Sequence, residues 1–401
     1  MAELRGKRLV LGVTGGVAAY KAAELARLFV KAGAEVHVVL TEAGARFVTA
    51  TTFQALTGNP VWTDIWDARA PDNMAHIGLG RQTDAIVIAP ASADFLAKLT
   101  HGLANDLLST LCLARDCPLF AAPAMNRQMW EHPATQRNLK QLHEDGVVIL
   151  GPARGDQACG ETGMGRMLEA EELYAAVVAS FQPKRLAGQR VLLTAGPTFE
   201  ALDPVRGLTN LSSGKMGFAL ARAAAEAGAH VTLVAGPVSQ ATPVGVRRID
   251  VISARDMREA VLREVGECDV FISVAAVADY RPAQSAGQKI KKSAQAMTLT
   301  LEPNADILAE VAAQKQPPFC VGFAAESENL DEHADKKRLA KNLPLVVGNL
   351  LQDGLGNEDN TVVLYDTKGR HQLAPAPKLE VARAIISHIA KMLVTDDESE
   401  E

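Results

Sequence analysis

The sequence has little cysteine, no excess of basic charge and no long apolar run, and each shortage excludes a class of protein. The five cysteines among 401 residues are scattered, and no pair has the C-x-x-C spacing of a zinc site, so we expect no disulfide framework and a reducing compartment. The net charge of −6 gives no reason to expect a nucleic-acid partner. No apolar run reaches the length of about 18 residues that crosses a membrane, and the apolar stretch near the N-terminus is too short for a signal peptide. These absences favour a cytoplasmic protein without a membrane partner.

Two parts of the chain repeat one pattern. An apolar run, a glycine turn, a helix-like pattern and a second apolar run follow one another in residues 8–41, and again between residues 189 and 237. Each repeat is typical of a βαβ unit, and the length exceeds one ordinary core. We therefore predict an α/β protein of two consecutive Rossmann-like domains, 1–182 and 190–394, with a linker at 183–189 and an acidic, disordered tail at 395–401. Near the end, TVVLYDTKGRHQLAP predicts a hairpin turning at Lys368-Gly369, before a closing amphipathic helix.

Polar residues and glycines follow the predicted strands of the first half, where ligands bind in parallel sheets. The loop GVTGGVAAYK can bring backbone N–H groups close to a phosphate, although a tight turn without a ligand fits it equally well. Further groups that can hydrogen-bond a cofactor, or in part simply cap helices, are Ser92, Asp94, Asn105 and Ser109.

Three other residues of the first half carry chemistry. Asn126 follows a strand in PAMNRQMW and is either a carboxylate contact or a turn residue. His76 lies between apolar residues and is either a site histidine or a structural one. Cys159 lies in the glycine-rich stretch GDQACGETGMGRM, where a thiol does not fill a core, and Arg166 is near it.

The second half contains two clusters of positive charge and one carboxylate that directly follows a predicted buried strand. The segment SSGKMG lacks the first glycine of a Walker loop, yet a helix starting there attracts an anion or is merely capped. Asp279 follows a buried strand and can hold Mg²⁺ beside a triphosphate, or be a polar strand end. The clusters KIKK and DKKRLAK suit a polyphosphate, although charge runs are usually solvated.

Taken in order, GGVAAYK, PASAD, ANDLLS, PAMNRQMW and ACGETGMGRM resemble the flavin-dependent cysteine decarboxylases, and the whole chain resembles the bacterial bifunctional phosphopantothenoylcysteine decarboxylase/phosphopantothenate–cysteine ligases. The resemblance implies a flavodoxin-like first domain that binds FMN. It implies an active-site histidine at His76, a substrate-carboxylate contact at Asn126 and the acid of the last step at Cys159. It places the cofactor at Gly15, Gly16, Thr41, Ser92, Asp94, Asn105 and Ser109. The family usually has serine after the glycine of this loop, where this chain has Gly16.

The second half resembles the ligase domain of the same family. The resemblance implies that CTP activates 4′-phosphopantothenate as an acyl-cytidylate, which L-cysteine then attacks. It implies that Asn210 stabilises the acyl-cytidylate, that Lys289 supports its formation and that Asp279 holds Mg²⁺. The implied nucleotide contacts are Ser273, Val274, Ala275, Asp279, Lys289, Asp306, Ile307, Leu308, Phe323, Lys337 and Lys341. The chain departs from the family at Gly207-Leu208-Thr209 and at Ala305.

The resemblance also implies a homo-oligomer, with trimers of the flavin domain and dimers of the ligase domain combined in a dodecamer. The expected function is two successive steps of coenzyme A biosynthesis, which end in 4′-phosphopantetheine. Two alternatives are a flavin-dependent decarboxylase of another cysteine-terminal substrate and a flavodoxin-like regulatory binding protein. The ligase-like second half disfavours both.

Overall fold

The structure is a computed structural model that describes residues 3–69, 74–158, 160–292, 296–350 and 359–397, with the backbone alone for 395–397. The chain divides into two compact units, Met1–Phe181 and Gln182–Glu401. Each unit has its own sheet and its own cores, so the predicted α/β class with two consecutive domains is confirmed.

Strands and helices alternate in the first unit. Its strands are β1 (Arg8–Val13), β2 (Glu35–Leu40), β3 (Ala85–Ala91), β4 (Leu119–Pro123), β5 (Val148–Ile149), β6 (Ala153–Asp156) and β7 (Thr162–Arg166). Its helices are α1 (Ala19–Lys31), α2 (Glu42–Ala45), α3 (Ala50–Thr57), α4 (Ala75–Gly80), α5 (Ala93–Thr100), α6 (Leu107–Leu113), α7 (Arg127–Glu131), α8 (Pro133–Glu144) and α9 (Ala170–Ser180).

The first sheet is parallel, in the order β2-β1-β3-β4-β5, which is the flavodoxin-like order. Helix α1 shows why the sequence folds this way, because Ala22, Leu25, Ala26 and Phe29 recur at helical spacing and are all buried. One core lies against α1 and α9, and another contains residues of α4, α5, α6 and α8, so helices cover both faces of the sheet. The chain order reverses between β1 and β3, which predicts a ligand crevice at their carboxyl ends.

The second unit has the same plan with a larger sheet. Its strands are β8 (Arg190–Ala195), β9 (Phe199–Ala201), β10 (Gly207–Thr209), β11 (His230–Ala235), β12 (Val246–Asp250), β13 (Val270–Ser273), β14 (Tyr280–Pro282), β15 (Leu301–Pro303), β16 (Phe319–Glu326), β17 (Leu345–Leu350), β18 (Asp359–Asn360), β19 (Val363–Asp366), β20 (Gly369–Gln372) and β21 (Ala376–Pro377). Its helices are α10 (Lys215–Glu226), α11 (Ala254–Glu264), α12 (Ile307–Ala312), α13 (Leu330–Ala340) and α14 (Lys378–Asp397), with a 3-10 turn at Val265–Glu267.

The strand order of the second sheet is β12-β11-β8-β13-β16-β17-β19-β20. Strand β19 pairs antiparallel with β17 and with β20, and the other neighbouring strands of this sheet are parallel. The predicted C-terminal hairpin is therefore confirmed as β19–β20. Its two turn residues are Thr367 and Lys368, one position earlier than the predicted Lys368-Gly369, because Asp366 pairs with Gly369. The order of strands reverses between β8 and β13, so the ligand crevice is expected at their carboxyl ends.

Both ends of the second unit differ in detail from the sequence expectation. Within the stretch 183–189, predicted as a linker, Leu186 is buried in the core of this unit, and Lys184 Nζ donates to the Glu226 carbonyl at 2.7 Å. Helix α14 continues to Asp397, three residues into the stretch assigned to a disordered tail, while 398–401 lie outside the described residues. Across the described ranges, no helix has both the length and the apolar character needed to traverse a bilayer.

Candidate functional site

The crevice of the first sheet is closed at its base by Thr14. Its hydroxyl is buried, donates to the Pro90 carbonyl oxygen at 2.7 Å and accepts from the Ser92 N–H at 3.0 Å. These two bonds hold the loop after β1 against the loop after β3. The two strand ends thus form one rigid floor for a ligand.

A cavity of about 390 Å³ opens above this floor. Five predicted cofactor residues line it: Gly15, Thr41, Ser92, Asp94 and Asn105. The other residues of its lining are Thr14, Glu42, Ala43, Arg46, Phe95, Lys98 and Asp106. Thr41 and Ser92 each cap a helix, since their hydroxyl oxygens accept from the N–H groups of Gly44 and Phe95 at 3.1 and 3.2 Å. Hydroxyls, two cations and the three carboxylates of Glu42, Asp94 and Asp106 therefore surround the cavity, and this mixed set of donors and acceptors can hydrogen-bond a polar cofactor chain.

The two glycines of the loop after β1 have different surroundings. A Cβ on Gly15 would lie 2.7 Å from the Cβ of Ala43, so no side chain fits there. A Cβ on Gly16 would meet only the Pro90 Cγ, at 3.9 Å. Gly15 is thus required for the close approach of α2, whereas the position of Gly16 has room for a side chain.

Ser109 lies outside this cavity lining and serves helix α6. Its N–H donates to Asp106 Oδ1 at 2.8 Å, and the Asp106 N–H donates to Ser109 Oγ at 3.2 Å, which makes a capping box. Asp106 itself lines the cavity and was missed by the sequence reasoning, although an Asp three residues before a Ser is a recognisable cap signal. Burial raises the pKa of Asp106, but hydrogen bonds from Ser109 and Lys98 outweigh it, so the net pKa is lowered.

His76 is the second residue of the short helix α4 and is half-buried. Its Nδ1 is shielded from solvent and has no hydrogen-bond partner in the portion of the chain that the structure describes. A shielded ring nitrogen without a hydrogen-bond partner destabilises the folded state, unless a ligand or another chain supplies the partner.

Asn126 is the N-cap of α7, so the turn role that the sequence left open is present. Its Oδ1 accepts from the Met129 N–H at 3.0 Å, and its Nδ2 donates to Gln128 Oε1 at 2.7 Å. The residue is only half-buried, and its amide remains at the surface of the unit.

The stretch around Cys159 is a β-hairpin, β6–β7, although Cys159 itself lies outside the described residues. Gln157 secures the hairpin, because its Oε1 accepts from the Arg127 N–H at 3.0 Å and its Nε2 donates to the Met164 carbonyl at 2.9 Å. A Cβ on Gly165 would overlap the Met125 carbonyl oxygen, so that glycine permits close packing beside Asn126. Gly163 and Gly165 thus permit close packing against Arg127 and Met125, whereas Gly160 has open space around it.

Arg166 ends this hairpin and forms an ion pair with Glu169 at 2.7 Å. Glu169 also pairs with the buried Lys21 at 2.9 Å, and the hydrogen bond from Lys21 is the largest cause of its lowered pKa. The arrangement ties the hairpin to helices α1 and α9.

In the four cysteines within the described ranges, burial disfavours the thiolate form. Burial raises the pKa of Cys112, Cys268 and Cys320 to about 12, and it also raises that of Cys117. The predictions that Cys112 and Cys320 are buried are confirmed.

The crevice of the second sheet is built in the same way as the first. The Thr194 hydroxyl accepts from the Ala275 N–H at 3.2 Å, and Pro197 bridges Ala276, so the segments after β8 and β13 run side by side. Asn210 lies across them: its Nδ2 donates to the Ala276 carbonyl, and its Oδ1 accepts from the Ser212 N–H at 3.0 Å. Asn210 is thus held at the switch point of the sheet, directly before the N-terminus of α10.

A second group of predicted nucleotide residues surrounds Lys337. Its Nζ donates to the Phe323 carbonyl at 2.5 Å, and Lys341 pairs with Asp306, the N-cap of α12. Burial lowers the pKa of Lys337 and nearby Lys341 lowers it further, while the carboxylates of Asp306, Glu326 and Asp279 oppose both effects. These charged groups therefore lie close enough to Lys337 to act on its ammonium, and Glu326 is one that the sequence reasoning missed.

The remaining nucleotide residues are placed as follows. Ser273 ends β13, and Val274 and Ala275 follow it, half-buried. The side chains of Ile307 and Leu308 are 5% and 4% exposed, so they can offer a ligand only their backbone N–H groups.

Lys289 is exposed, on a segment that is held by Asp203. Asp203 is buried and accepts hydrogen bonds from the Ile290 N–H at 3.1 Å and from the side chain and backbone of Arg206. The side chain of Arg206 also donates to the Ile290 carbonyl at 2.6 Å. The hydrogen bond from Arg206 is the largest cause of the lowered pKa of Asp203. Asp203 therefore fixes the position of the KIKK segment, a role that no sequence pattern had indicated.

Comparison with known proteins gives matches along the whole chain. A family model described as Flavoprotein matches residues 1–182, and a model described as DNA/pantothenate metabolism flavoprotein C-terminal domain matches residues 186–393. The Coenzyme A biosynthesis bifunctional protein CoaBC of Vibrio cholerae is 49% identical over 399 residues, which cover 98% of this chain and 100% of that protein. The protein of the same name from Haemophilus influenzae is 49% identical over 391 residues, or 96% of this chain and 98% of that protein. A crystal structure of the C-terminal domain of such a protein is 41% identical, covers 53% of this chain and 99% of that chain, and has a TM-score of 0.47.

Proposed function

The chain belongs to the family of coenzyme A biosynthesis bifunctional proteins, and we propose that it joins 4′-phosphopantothenate to L-cysteine with CTP and then decarboxylates the product to 4′-phosphopantetheine. We assign the decarboxylase, with FMN, to residues 1–182 and the ligase to residues 190–394. We place the reaction in the cytoplasm and expect a homo-oligomer.

One observation carries the proposal: relatives of this name align with the chain nearly from end to end at 49% identity. A flavoprotein domain followed by the second domain supports two activities in this order along the chain. Two features of the geometry support it: Gly15, Thr41, Ser92, Asp94 and Asn105 line one cavity of the first unit, and Lys337 of the second unit lies near Lys341, Asp306 and Asp279.

For the first activity, the cavity over Thr14 is the proposed flavin site. Gly15, with no room for a side chain, brings backbone N–H groups to the cofactor phosphate, and Thr41, Ser92 and Asn105 supply hydrogen bonds. Held by these residues, a flavin would supply a reversible hydride acceptor, and with it the electron sink that loss of carbon dioxide requires. His76 and Asn126 face the substrate in this proposal, and Asn126 holds its carboxylate.

Cys159 is the proposed proton donor of the last step. Its role rests on the sequence, since the residue lies outside the described ranges. Two described residues of the same stretch lie beside the neighbours of Asn126: Gln157 accepts from the Arg127 N–H at 3.0 Å, and Gly165 packs against the Met125 carbonyl. A thiol held beside the substrate carboxylate can protonate the carbon from which carbon dioxide has left.

For the second activity, Lys337 and Lys341 are proposed to bind the CTP phosphates. Lysine ammonium groups stabilise the charge that builds up on phosphates during transfer. Asp306 fixes Lys341 by an ion pair, and Lys289 is held at the same end of the sheet by Asp203. Asn210 contacts the acyl-cytidylate through its amide, which the Ala276 carbonyl and the Ser212 N–H orient.

Asp279 is the proposed Mg²⁺ ligand. It is exposed at the end of the segment after β13, and carboxylate oxygen is the ligand that Mg²⁺ prefers beside a triphosphate. When bound, the ion neutralises phosphate charge as pyrophosphate leaves.

The experiment that tests the proposal measures the two activities separately on the purified chain. The protein should be yellow and release FMN on denaturation. It should also form pyrophosphate only when CTP, Mg²⁺ and 4′-phosphopantothenate are all present. A colourless folded protein that accepts no flavin would overturn the first assignment, and pyrophosphate formation without the pantothenate substrate would overturn the second.

A further inference from the structure

We propose that Asp366, His371 and His388 form a transition-metal site of the Zn²⁺ type in the second unit. The Asp366 carboxylate ends β19, His371 lies on the partner strand β20, and His388 lies on helix α14. Three different elements therefore direct one ligand atom each to a common point, and these atoms all lie within 4.8 Å of one another. This cluster, called the His-Asp-His cluster below, is used by neither proposed reaction.

The distances in the His-Asp-His cluster fit a small ion. His388 Nε2 lies 2.8 Å and His371 Nε2 3.1 Å from Asp366 Oδ2. In a tetrahedral zinc site, bonds of about 2.0–2.1 Å place neighbouring ligand atoms about 3.3 Å apart. Each imidazole nitrogen thus needs to move away from Asp366 Oδ2 by only a few tenths of an ångström to reach this spacing, and all three ligand atoms lie within 4.8 Å of one another.

The surroundings of the carboxylate also resemble a metal site. Asp366 is 4% exposed, and its Oδ1 accepts from the Lys368 N–H at 2.7 Å, so a second group fixes its orientation. The side chain of His371 is 39% exposed, which leaves an open side for water as a fourth ligand. Two imidazoles and one carboxylate favour Zn²⁺, Co²⁺ or Ni²⁺ over Mg²⁺, which prefers oxygen ligands.

A bound ion would tie the edge hairpin β19–β20 to helix α14. Without metal, the same atoms can be joined by hydrogen bonds from the two rings to Asp366. The two states differ in the protonation of the imidazoles. The hydrogen-bonded state needs a proton on each Nε2 atom, whereas the metal-bound state needs both Nε2 atoms without one.

The test uses the untagged full chain with its flavin, treated with a chelator and titrated with Co²⁺ in excess Mg²⁺. We expect one equivalent per chain to give the visible d–d absorption of tetrahedral cobalt, at longer wavelength than the flavin bands, and Zn²⁺ to displace it. Zn²⁺ at 100 times its Kd should raise the Tm of the second unit by on the order of 5 °C.

Substitutions test whether the cobalt absorption comes from the His-Asp-His cluster. His371→Gln and His388→Gln keep an N–H donor for Asp366 but lose the ligand nitrogen, and they should bind Co²⁺ at least tenfold more weakly. His230→Gln, at an exposed position on β11, should match the wild type. His371→Cys should restore binding with a thiolate-to-cobalt charge-transfer band, which separates lost ligation from lost folding. Absence of the d–d absorption in the wild type, or its persistence in both glutamine variants, would overturn the proposal.

Discussion

Two adjacent glycines show how position decides what a residue contributes. Gly15 lies against Ala43 and cannot carry a Cβ, whereas Gly16 faces open space beside Pro90. The fold can therefore accommodate either the glycine of this chain or the family's usual serine at position 16. What the chain lacks at this position is a hydroxyl that could bind the phosphate of the proposed cofactor.

We predict that Gly16→Ser tightens FMN binding about 3- to 10-fold, the contribution of one added hydrogen bond of about 0.5–1.5 kcal/mol. The matched variant Gly15→Ser should weaken binding at least tenfold because of its clash with Ala43. Quenching of flavin fluorescence on titration of the apoprotein measures both. Equal effects of the two substitutions would contradict the geometry of the loop.

Lys337 gives a prediction for the pH dependence of the ligase. Because burial and Lys341 lower its pKa from the ordinary 10.5, the ammonium loses its proton at lower pH than a free lysine would. The kcat/KM for CTP should therefore fall on the alkaline side with an apparent pKa below 10.5, while Lys337→Arg should keep its rate to higher pH.

The measurement is the rate of the first turnover of pyrophosphate release at subsaturating CTP in the absence of cysteine, so that the ionisation of the second substrate does not contribute. Lys336→Arg, one residue earlier on the same helix, serves as the control and should leave the alkaline limb in place. An alkaline limb that is the same in Lys337→Arg and the wild type would remove Lys337 from the phosphate site.

At the scale of elements, helix α6 depends on Asp106, which caps it and also pairs with Lys98 at 3.0 Å. We predict that Asp106→Ala lowers the stability of the first unit by about 1 kcal/mol, or about 2–4 °C in Tm. The loss should be complete at neutral pH. A lowered carboxyl pKa gives stability that is present above the ordinary value of 3.8 and disappears only as the pH falls through the folded-state pKa.

Thermal unfolding followed by flavin release and by circular dichroism measures this difference. Asp116→Ala, at an exposed position between α6 and β4, should leave the Tm unchanged. A Tm of Asp106→Ala equal to that of Asp116→Ala at pH 7 would show that the cap contributes nothing.

The elements also show how far the sequence could be interpreted. Buried strands such as DAIVIAPAS and PFCVGFAAE were predictable, because continuous apolar runs followed by polar residues are typical of parallel sheets. The hairpin around residues 153–166 was not predictable, because Gly163 and Gly165 resemble a flexible loop until their contacts with Arg127 and Met125 are known. The capping box of Asp106 was visible in ANDLLS, but its place in the cavity depends on the packing of α6.

At the candidate sites too, contacts between residues far apart in the sequence could not be predicted from the sequence. Gly15, Thr41 and Ser92 line one cavity because they follow three neighbouring strands of the first sheet. Asp203 and Glu326 belong to no recognisable sequence motif. Folding brings them close to Ile290 and Lys337. His371 and His388 are likewise joined only by the docking of α14 beside the hairpin.

At the scale of the whole molecule, each unit has its own sheet and core, so the two activities should be separable by point substitution. Asn210→Asp replaces the donor to the Ala276 carbonyl by an oxygen, and we predict ligation about 10²-fold slower with an unchanged flavin spectrum. Cys159→Ser should stop at an oxidised, decarboxylated intermediate while pyrophosphate release continues.

Mass spectrometry of the products, with the flavin absorbance of each variant, measures both effects. A mixture of the two variants should regain net turnover, because the ligation product made by one can be decarboxylated by the other. Loss of flavin from Asn210→Asp, or normal amine product from Cys159→Ser, would contradict this division of roles.

The most direct test of the account follows cysteine carbons through one incubation of the full chain with 4′-phosphopantothenate, CTP and Mg²⁺. With L-cysteine labelled at the carboxyl carbon, the account predicts unlabelled 4′-phosphopantetheine and labelled carbon dioxide. With the label on the sulfur-bearing carbon, it predicts that the product retains it. Accumulation of phosphopantothenoylcysteine without carbon dioxide, or no ligation at all, would contradict a single chain that performs both steps.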